Sequence, residues 1–223
     1  MSTAIADRRA ARRSQTIEEA LDIALEVIAE EGVAGLSAGE VARRMGIKPP
    51  SLYVYFPSKH ALYDALFERG ARAFRDAATG AFPETGSLHD ALTVVADAAV
   101  RWAVENPSYS QLLFWRPVPR FEPSASAFAP AQEAMARGVE DFRQLQERGE
   151  LRADVSAEDA LRDWTILLSG VISQQLSNEP GASFARGVFT TRLPAMVDMF
   201  VAHYGAPSAK RKTTKRGSHA RAR

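Results

Sequence analysis

The chain has 223 residues, of which 46% are hydrophobic and 25% are charged, a composition typical of soluble globular proteins. It contains no cysteine, which excludes disulfides, thiolate metal sites and cysteine nucleophiles. No apolar run reaches the roughly 18 residues that a membrane span requires, and the arginine-rich start lacks the apolar region of a secretory signal. We therefore expect a cytoplasmic protein that does not cross a membrane.

The formal net charge of +1 is unevenly distributed along the chain. Residues 1–13 hold four arginines and one aspartate, and residues 206–223 hold seven lysines and arginines and no acid. These ends carry +3 and +7, which leaves −9 for the 192 residues between them. Basic ends commonly contact nucleic acid, although a tail that only aids solubility has the same composition. We predict a flexible basic arm over 1–13 and a disordered basic tail over 206–223.

The first predicted helix begins near Thr16, where Thr16 and Glu19 match a capping box, and ends at Gly32. Its apolar side chains recur at helical spacing, at Ile17, Leu21, Ala24 and Ile28.

Residues 37–59 predict two short helices joined by a tight turn, followed at once by a third helix. Ser37 and Glu40 match a capping box, and Gly46 stands where a left-handed residue would end the first of these helices. Pro49 and Pro50 fit the first turn of the next helix. Leu52 and Phe56 should point inward, which leaves the following side chains outside: Lys48, Pro49, Ser51, Tyr53, Tyr55 and Lys59.

The predicted outward surface of this helix-turn-helix mixes hydroxyl, phenol and ammonium groups, with no acid between Val41 and His60. Such groups can contact phosphates and base edges in a major groove. An ordinary helical corner is the alternative that the pattern alone leaves open.

The run GLSAGEVARRMGIKPPSLYVYFPSKHAL closely resembles the DNA-binding domain of the tetracycline-repressor (TetR) family, over roughly residues 16–66. The pattern LYxYFxSKxxL is specific to that family. The resemblance implies a three-helix DNA-binding domain over 14–60 and a double-stranded DNA operator as partner. It also makes the four arginines of the arm, Arg8, Arg9, Arg12 and Arg13, candidates for DNA contact. The residues that we expect at the DNA are Ser37, Arg44, Lys48, Pro49, Pro50, Ser51, Tyr53, Tyr55 and Lys59.

One departure from the family pattern concerns Ala38 and Gly39, which stand where family members often have a hydroxyl or a long polar side chain. Sequence readout should therefore depend more on residues 48–55.

The rest of the chain predicts only helices, so the fold class is all-α, with a helical bundle for ligand binding and dimerisation over 61–205. A helix from about Ser58 has apolar residues on two sides and should link the two domains. Further helices are predicted at 87–106, 107–116, 130–148, 156–178 and 184–204, the last with a kink at Pro194. Residues 117–123 are too rich in proline to be helical.

The last two predicted helices are the candidate subunit interface, because the resemblance implies a four-helix bundle across a two-fold axis. The alternative is that these apolar faces only close the chain's own core. The predicted dimerisation residues are Leu168, Ile172, Met196, Val197 and Phe200.

The central body is rich in aromatic rings, and pockets in helical bundles form between the helices. The resemblance implies a pocket here for a small hydrophobic or aromatic effector, although most single rings are plain core. The candidate ligand-binding rings are Phe74, Trp102, Tyr109, Phe114, Trp115, Phe128, Phe142 and Trp164, and the candidate polar groups are His89, Gln111, Gln132, Thr165 and Gln174.

No motif in the sequence indicates catalysis, a metal site or a cofactor, so we expect no enzyme. The sequence therefore predicts a homodimeric DNA-binding transcriptional regulator, most simply a ligand-released repressor of a palindromic operator. The alternatives are an all-α small-molecule-binding protein with a vestigial helix-turn-helix and an enzyme on the same helical body.

Overall fold

The computed structural model describes residues 2–83 and 85–207, so the predicted tail lies, from residue 208, outside the described residues. Within those ranges the chain is all-α, as predicted, and its one extended pairing is an isolated antiparallel bridge between Leu151 and Gly205. None of the described helices is long and apolar enough to cross a membrane. The helices are α1 (Ser2–Gly35), α2 (Ala38–Arg44), α3 (Pro49–Tyr53), α4 (Lys59–Thr79), α5 (Leu88–Glu105), α6 (Pro107–Ser110), a π-helical turn (Gln111–Trp115), α7 (Ala125–Glu147), α8 (Ala157–Asn178), a 3₁₀ turn (Thr190–Arg192) and α9 (Leu193–Tyr204).

The start of α1 differs from the prediction, because the helix begins at Ser2 and includes the segment that was expected to be a flexible arm. Alanine and arginine dominate that segment, and both are strong helix formers. Thr16 is not a cap: its hydroxyl donates to the carbonyl of Arg12 at 3.0 Å, a bond that threonine makes inside a helix. Gly32, with φ of 73°, interrupts the helix where its end was predicted.

The predicted helix-turn-helix is present as α2 and α3. The Ser37 hydroxyl accepts the backbone N–H of Glu40 at 3.1 Å, and Gly46 has a left-handed φ of 68°. Only half of the expected capping box forms, because the Glu40 carboxylate accepts hydrogen bonds from Arg43 and Arg44 instead. Both Pro49 and Pro50 lie in the first turn of α3, as predicted.

Helix α4 joins two hydrophobic cores. Its first turns bury Leu62 and Leu66 in an N-terminal core with α1, α2 and α3, and Phe74 packs against a C-terminal core built from α5, α7, α8 and α9. Residues from the connection before α7, including Phe121, complete the N-terminal core. The domain boundary predicted at residue 60 therefore falls at the start of a continuous helix, and the N-terminal core extends beyond it.

Helix α7 begins at Ala125, five residues before the predicted start at Pro130, which lies inside the helix. The cap is Ser124, whose hydroxyl accepts the N–H of Ala127 at 3.2 Å. Proline is common at the start of a helix, whereas further inside it removes one hydrogen bond and crowds the carbonyl of the preceding turn, a cost that this 23-residue helix bears. The predicted start of α7 was wrong because Pro130 was interpreted as the first residue of the helix.

Helix α9 begins at Leu193 rather than near Phe184, so Pro194 lies in its first turn and causes no kink. Most of the segment before it is irregular. The buried side chain of Gln175 holds part of this segment, since its carbonyl oxygen accepts the N–H groups of Phe189 and Thr190 at 3.2 and 3.3 Å.

Candidate nucleic-acid interface and effector cavity

Helix α3 presents a polar surface on an apolar base. Leu52 and Phe56 are buried in the N-terminal core, as predicted. Tyr53 is 49% exposed, and the other exposed side chains predicted for DNA contact along this segment are Lys48, Pro49, Pro50 and Ser51. The packing of Leu52 and Phe56 in the core therefore fixes the orientation of the exposed side chains of α3.

Basic groups from two other helices flank α3. The guanidinium of Arg13, in α1, lies 5.0 Å from the ring centroid of the half-buried Tyr55. The ammonium of Lys59, at the start of α4, lies 5.5 Å from the ring centroid of Tyr63. Such contacts restrain flexible cations over aromatic rings. The arginine segment is thus brought beside α3 by a helix, and not by the flexible arm that the sequence predicted.

Arg44 has a different environment from the other predicted DNA contacts. Its side chain is only 19% exposed and forms ion pairs with Glu30, Glu31 and Glu40 at 2.8, 3.0 and 2.7 Å. Hydrogen bonds from Arg43, and to a lesser extent from Arg44, lower the pKa of Glu40 to about 2. The geometry therefore assigns Arg44 to the junction between α1 and α2. Ser37, also predicted at the DNA, is exposed and caps α2.

Two adjoining cavities, of about 120 and about 220 Å³, lie among α4, α5, α7 and α8. Both are lined by Phe74, Ala134, Met135, Thr165 and Leu168. We refer to them together as the central cavity. Five of the predicted rings line it, namely Phe74, Phe114, Phe128, Phe142 and Trp164, and Thr165 is the predicted polar group that does so.

The other three predicted rings do not line the central cavity. Trp102 packs between Phe74 and Tyr109, with ring centroids 5.3 and 6.0 Å apart. Trp115 lines a separate surface depression together with Gln111. Helical spacing places rings on a face but does not show whether that face meets a cavity or another side chain.

Tyr109 belongs to a junction between α1, α4 and α6. Its hydroxyl accepts a hydrogen bond from Arg69, whose guanidinium also lies 2.9 Å from Glu18 and 2.8 Å from Asp22. A Cβ atom built on Gly70 would lie 2.5 Å from the Tyr109 ring, so the ring packs directly on the α4 backbone. Arg69 therefore connects the DNA-binding domain to the body of the protein.

Sequence reasoning missed the charged residue of the central cavity, Asp141. It is 4% exposed, it lines the smaller cavity, and burial raises its pKa. Arg137 Nε forms an ion pair with Asp141 Oδ1 at 2.8 Å, but this buried oxygen accepts no hydrogen bond of good geometry. The available signal was spacing, since Gly138, Asp141 and Leu145 fall on the inward face of α7.

The predicted dimerisation residues are mostly internal. Leu168, Ile172, Val197 and Phe200 are buried in the chain's own C-terminal core, and Met196 is half-buried. The alternative, that these faces close the core, is therefore correct for those four. The apolar side chains that α8 and α9 do expose are different ones: Ile166 and Met199, each 63% exposed.

Among the residues that the structure describes, no three His, Cys, Asp or Glu side chains are grouped as metal ligands would be.

Residues 20–66, which supply most of the N-terminal core, match the family model described as bacterial regulatory proteins of the tetR family. The helix-turn-helix domain of this chain belongs to the TetR family. It is 33% identical over 89 residues to the uncharacterized HTH-type transcriptional regulator YobS of Bacillus subtilis, covering 40% of this chain and 46% of that one. It is 43% identical over 49 residues to the class D tetracycline repressor protein of Escherichia coli, covering 22% of each. The chain thus spans less than half the length of these curated relatives.

Solved structures share the fold over most of this chain at low sequence identity. A protein of unknown function from Rhodococcus sp. RHA1 superimposes with a TM-score of 0.71 at 20% identity, covering 84% of this chain and 94% of that one. The transcriptional regulator FadR of Bacillus subtilis, in complex with stearoyl-CoA, gives 0.69 at 14% identity, covering 83% and 97%.

Proposed function

We propose that this TetR-family protein is a transcriptional regulator that binds a palindromic DNA operator as a homodimer and releases it when an effector fills the central cavity. The observation that carries the proposal is the α3 surface: exposed polar and basic groups on a buried base, within the segment that matches the family. Repression is the simplest outcome of binding that an effector reverses.

The proposed contacts with DNA divide by chemistry. Lys48, Lys59 and Arg13 supply positive charge at the edges of the α3 surface and would contact phosphates, as would the hydroxyl of Tyr55. The exposed residues of α3 itself are nearer to base edges, and these are Pro49, Pro50, Ser51 and Tyr53.

A second copy of the chain is the proposed occupant of the exposed face of α8 and α9. Ile166 and Met199 leave large apolar side chains on the surface of two packed helices. Gly170, one turn after Ile166, has no atom within 4 Å of a built Cβ, so a partner helix could approach closely there. A two-fold dimer would also match a two-fold operator, with recognition helices about 34–36 Å apart.

The central cavity is the proposed effector site, and α4 is the element that would transmit binding. Phe67, Ala71 and Phe74 of α4 line the cavity, and the same helix begins at Lys59 beside α3. An effector that prefers a different tilt of α4 by about 1.4 kcal/mol would lower operator affinity about tenfold.

Retention of DNA by the purified protein tests this function. We expect a subset of fragments from a random duplex library to be enriched, to contain an inverted repeat and to bind two chains each. If no duplex is retained in preference to others while apolar compounds still bind, the protein is instead a small-molecule-binding protein with a vestigial helix-turn-helix.

A further inference from the structure

The carboxylate of Asp141 is an unusual group in the wall of the central cavity. The smaller cavity is otherwise lined almost entirely by apolar side chains, among them Leu92, Phe142 and Trp164. A buried oxygen without a donor destabilises the folded protein, because its hydration is lost and not replaced. Nothing in the fold of α7 requires an acid here, since Asp141 caps no helix and joins no second helix by an ion pair that the structure shows.

We infer that the central cavity takes a neutral, mainly apolar molecule whose hydroxyl group donates a hydrogen bond to the carboxylate of Asp141. Such a ligand would supply a hydrogen-bond donor to this carboxylate and would bury its apolar part against the surrounding rings. The inference rests on the proposed function only for its consequence at the DNA.

Charge around Asp141 favours a neutral donor over an ion. Arg137, with Nε 2.8 Å from Oδ1, already compensates the negative charge, so a ligand ammonium would place a second cation around one carboxylate. An acidic ligand would bring a second negative charge beside Asp141, with Glu140 next along the helix. Either ion would also lose its hydration in an apolar cavity.

A route into the cavity is present beside Met135. This side chain lines both parts of the cavity and is 45% exposed, so it lies between the interior and solvent. Methionine is flexible, and its movement could admit a small apolar molecule without opening the helices.

A matched set of probes tests the inference without DNA: 1-octanol, its isomer methyl heptyl ether, octanoate and octylamine. Binding is followed by tryptophan fluorescence, since Trp164 lines the cavity. The ether has the same atoms as the alcohol but no donor. Because a hydrogen bond to a charged acceptor is strong, we expect 1-octanol to bind at least about tenfold more tightly than the ether and both ions.

The variant Asp141→Leu should abolish the preference of the alcohol over the ether. Asp141→Asn, which keeps an acceptor oxygen and nearly the same shape, should reduce the preference without removing it, and it serves if the leucine variant does not fold. Glu140→Gln removes an exposed acid from the neighbouring position and should change nothing.

Several results would overturn the inference: no binding of any probe, equal binding of alcohol and ether, tighter binding of octylamine or octanoate, or a preference that survives in Asp141→Leu. These results leave operator binding untouched. If instead 1-octanol binds through Asp141 but leaves operator affinity unchanged at saturation, the inference about the ligand site is supported and the effector-release part of the proposed function fails.

Discussion

Both carboxylate oxygens of Asp64 accept hydrogen bonds from Ser124: Oδ1 from its backbone N–H at 2.7 Å and Oδ2 from its hydroxyl at 2.6 Å. Asp64 lies five residues after Lys59 in α4, and Ser124 is the N-cap of α7. Helix α7 also forms a wall of the central cavity, at Ala134 and Met135. The pair therefore connects the cavity wall to the part of α4 that lies beside the DNA-binding surface.

The coupling between Asp64 and Ser124 can be measured by a double-mutant cycle. Each single change to alanine should lower the free energy of unfolding by about 1–3 kcal/mol, because the other partner loses its hydrogen bonds. The double variant should lose less than the sum, with a coupling energy of about 1 kcal/mol or more in urea denaturation. Glu68→Ala is the control, since Glu68 pairs with Arg72 of the same helix. Additive effects would show that the contact does not join α4 to α7 in solution.

Gly70 should not tolerate a side chain, because Tyr109 packs against its backbone. A methyl group there would meet Tyr109 Cδ1 at 2.5 Å, and the hydroxyl of the same tyrosine accepts the hydrogen bond of Arg69. We expect Gly70→Ala to lower the free energy of unfolding by about 1–3 kcal/mol, although alanine favours helices. Gly39→Ala, with only Ser37 Oγ at 3.9 Å, should not be destabilising. A Gly70→Ala variant as stable as wild type would contradict the packing of α6 on α4.

The oligomeric state should depend on the exposed apolar residues of α8 and α9. Ile166→Glu and Met199→Glu should dissociate the proposed dimer while the fold is retained, because neither side chain is in the chain's own core. Sedimentation equilibrium measures the mass, and circular dichroism checks the fold. Val94→Glu, a change at an exposed apolar residue of α5, is the control and should leave the mass unchanged. A stable dimer in both test variants would place the interface elsewhere.

The ion pairs of Glu40 predict a dependence of stability on pH. The pKa of Glu40 is lowered from its ordinary value of 4.5 to about 2 by hydrogen bonds from Arg43 and Arg44, so the stabilisation that it provides is complete above about pH 4.5 and is lost as the pH falls to about 2. Glu40→Gln should therefore be less stable than wild type near pH 6, and the difference should shrink as the pH is lowered towards 2. Urea denaturation at several pH values measures this. A difference independent of pH would contradict the assigned pairing with Arg43 and Arg44.

The sequence predicted the helix-turn-helix well because its signals are local. Ser37, Gly46 and the Pro49–Pro50 pair each determine the backbone within one turn of themselves, and Leu52 and Phe56 define which side is buried. The arm over 1–13 was predicted wrongly, since its charge received more weight than the helix propensity of its alanines and arginines.

The site in the body of the protein was predicted only in part, because a hydrophobic pattern marks an apolar face without showing what covers it. Leu168 and Phe200 fit a subunit interface and a core equally well in sequence, and the structure places them in the core. Asp141 was missed for the related reason that a lone acid on a helix normally points to solvent. Only the packing of α7 against α4 and α8 shows that this one does not.

The DNA-binding surface is tested most directly by the salt dependence of operator affinity in point variants, with a duplex enriched from a random library. Lys59→Ala should weaken binding and reduce the slope of log affinity against log salt by about 0.9, because one phosphate contact is lost. Tyr55→Ala should weaken binding as well, whereas Tyr53→Ala should mainly reduce the preference for the enriched duplex. Arg72→Ala, which removes an exposed cation further along α4, is the control and should leave affinity and slope unchanged. Wild-type affinity and slope in correctly folded Lys59→Ala and Tyr55→Ala proteins would contradict the assignment of this surface to DNA.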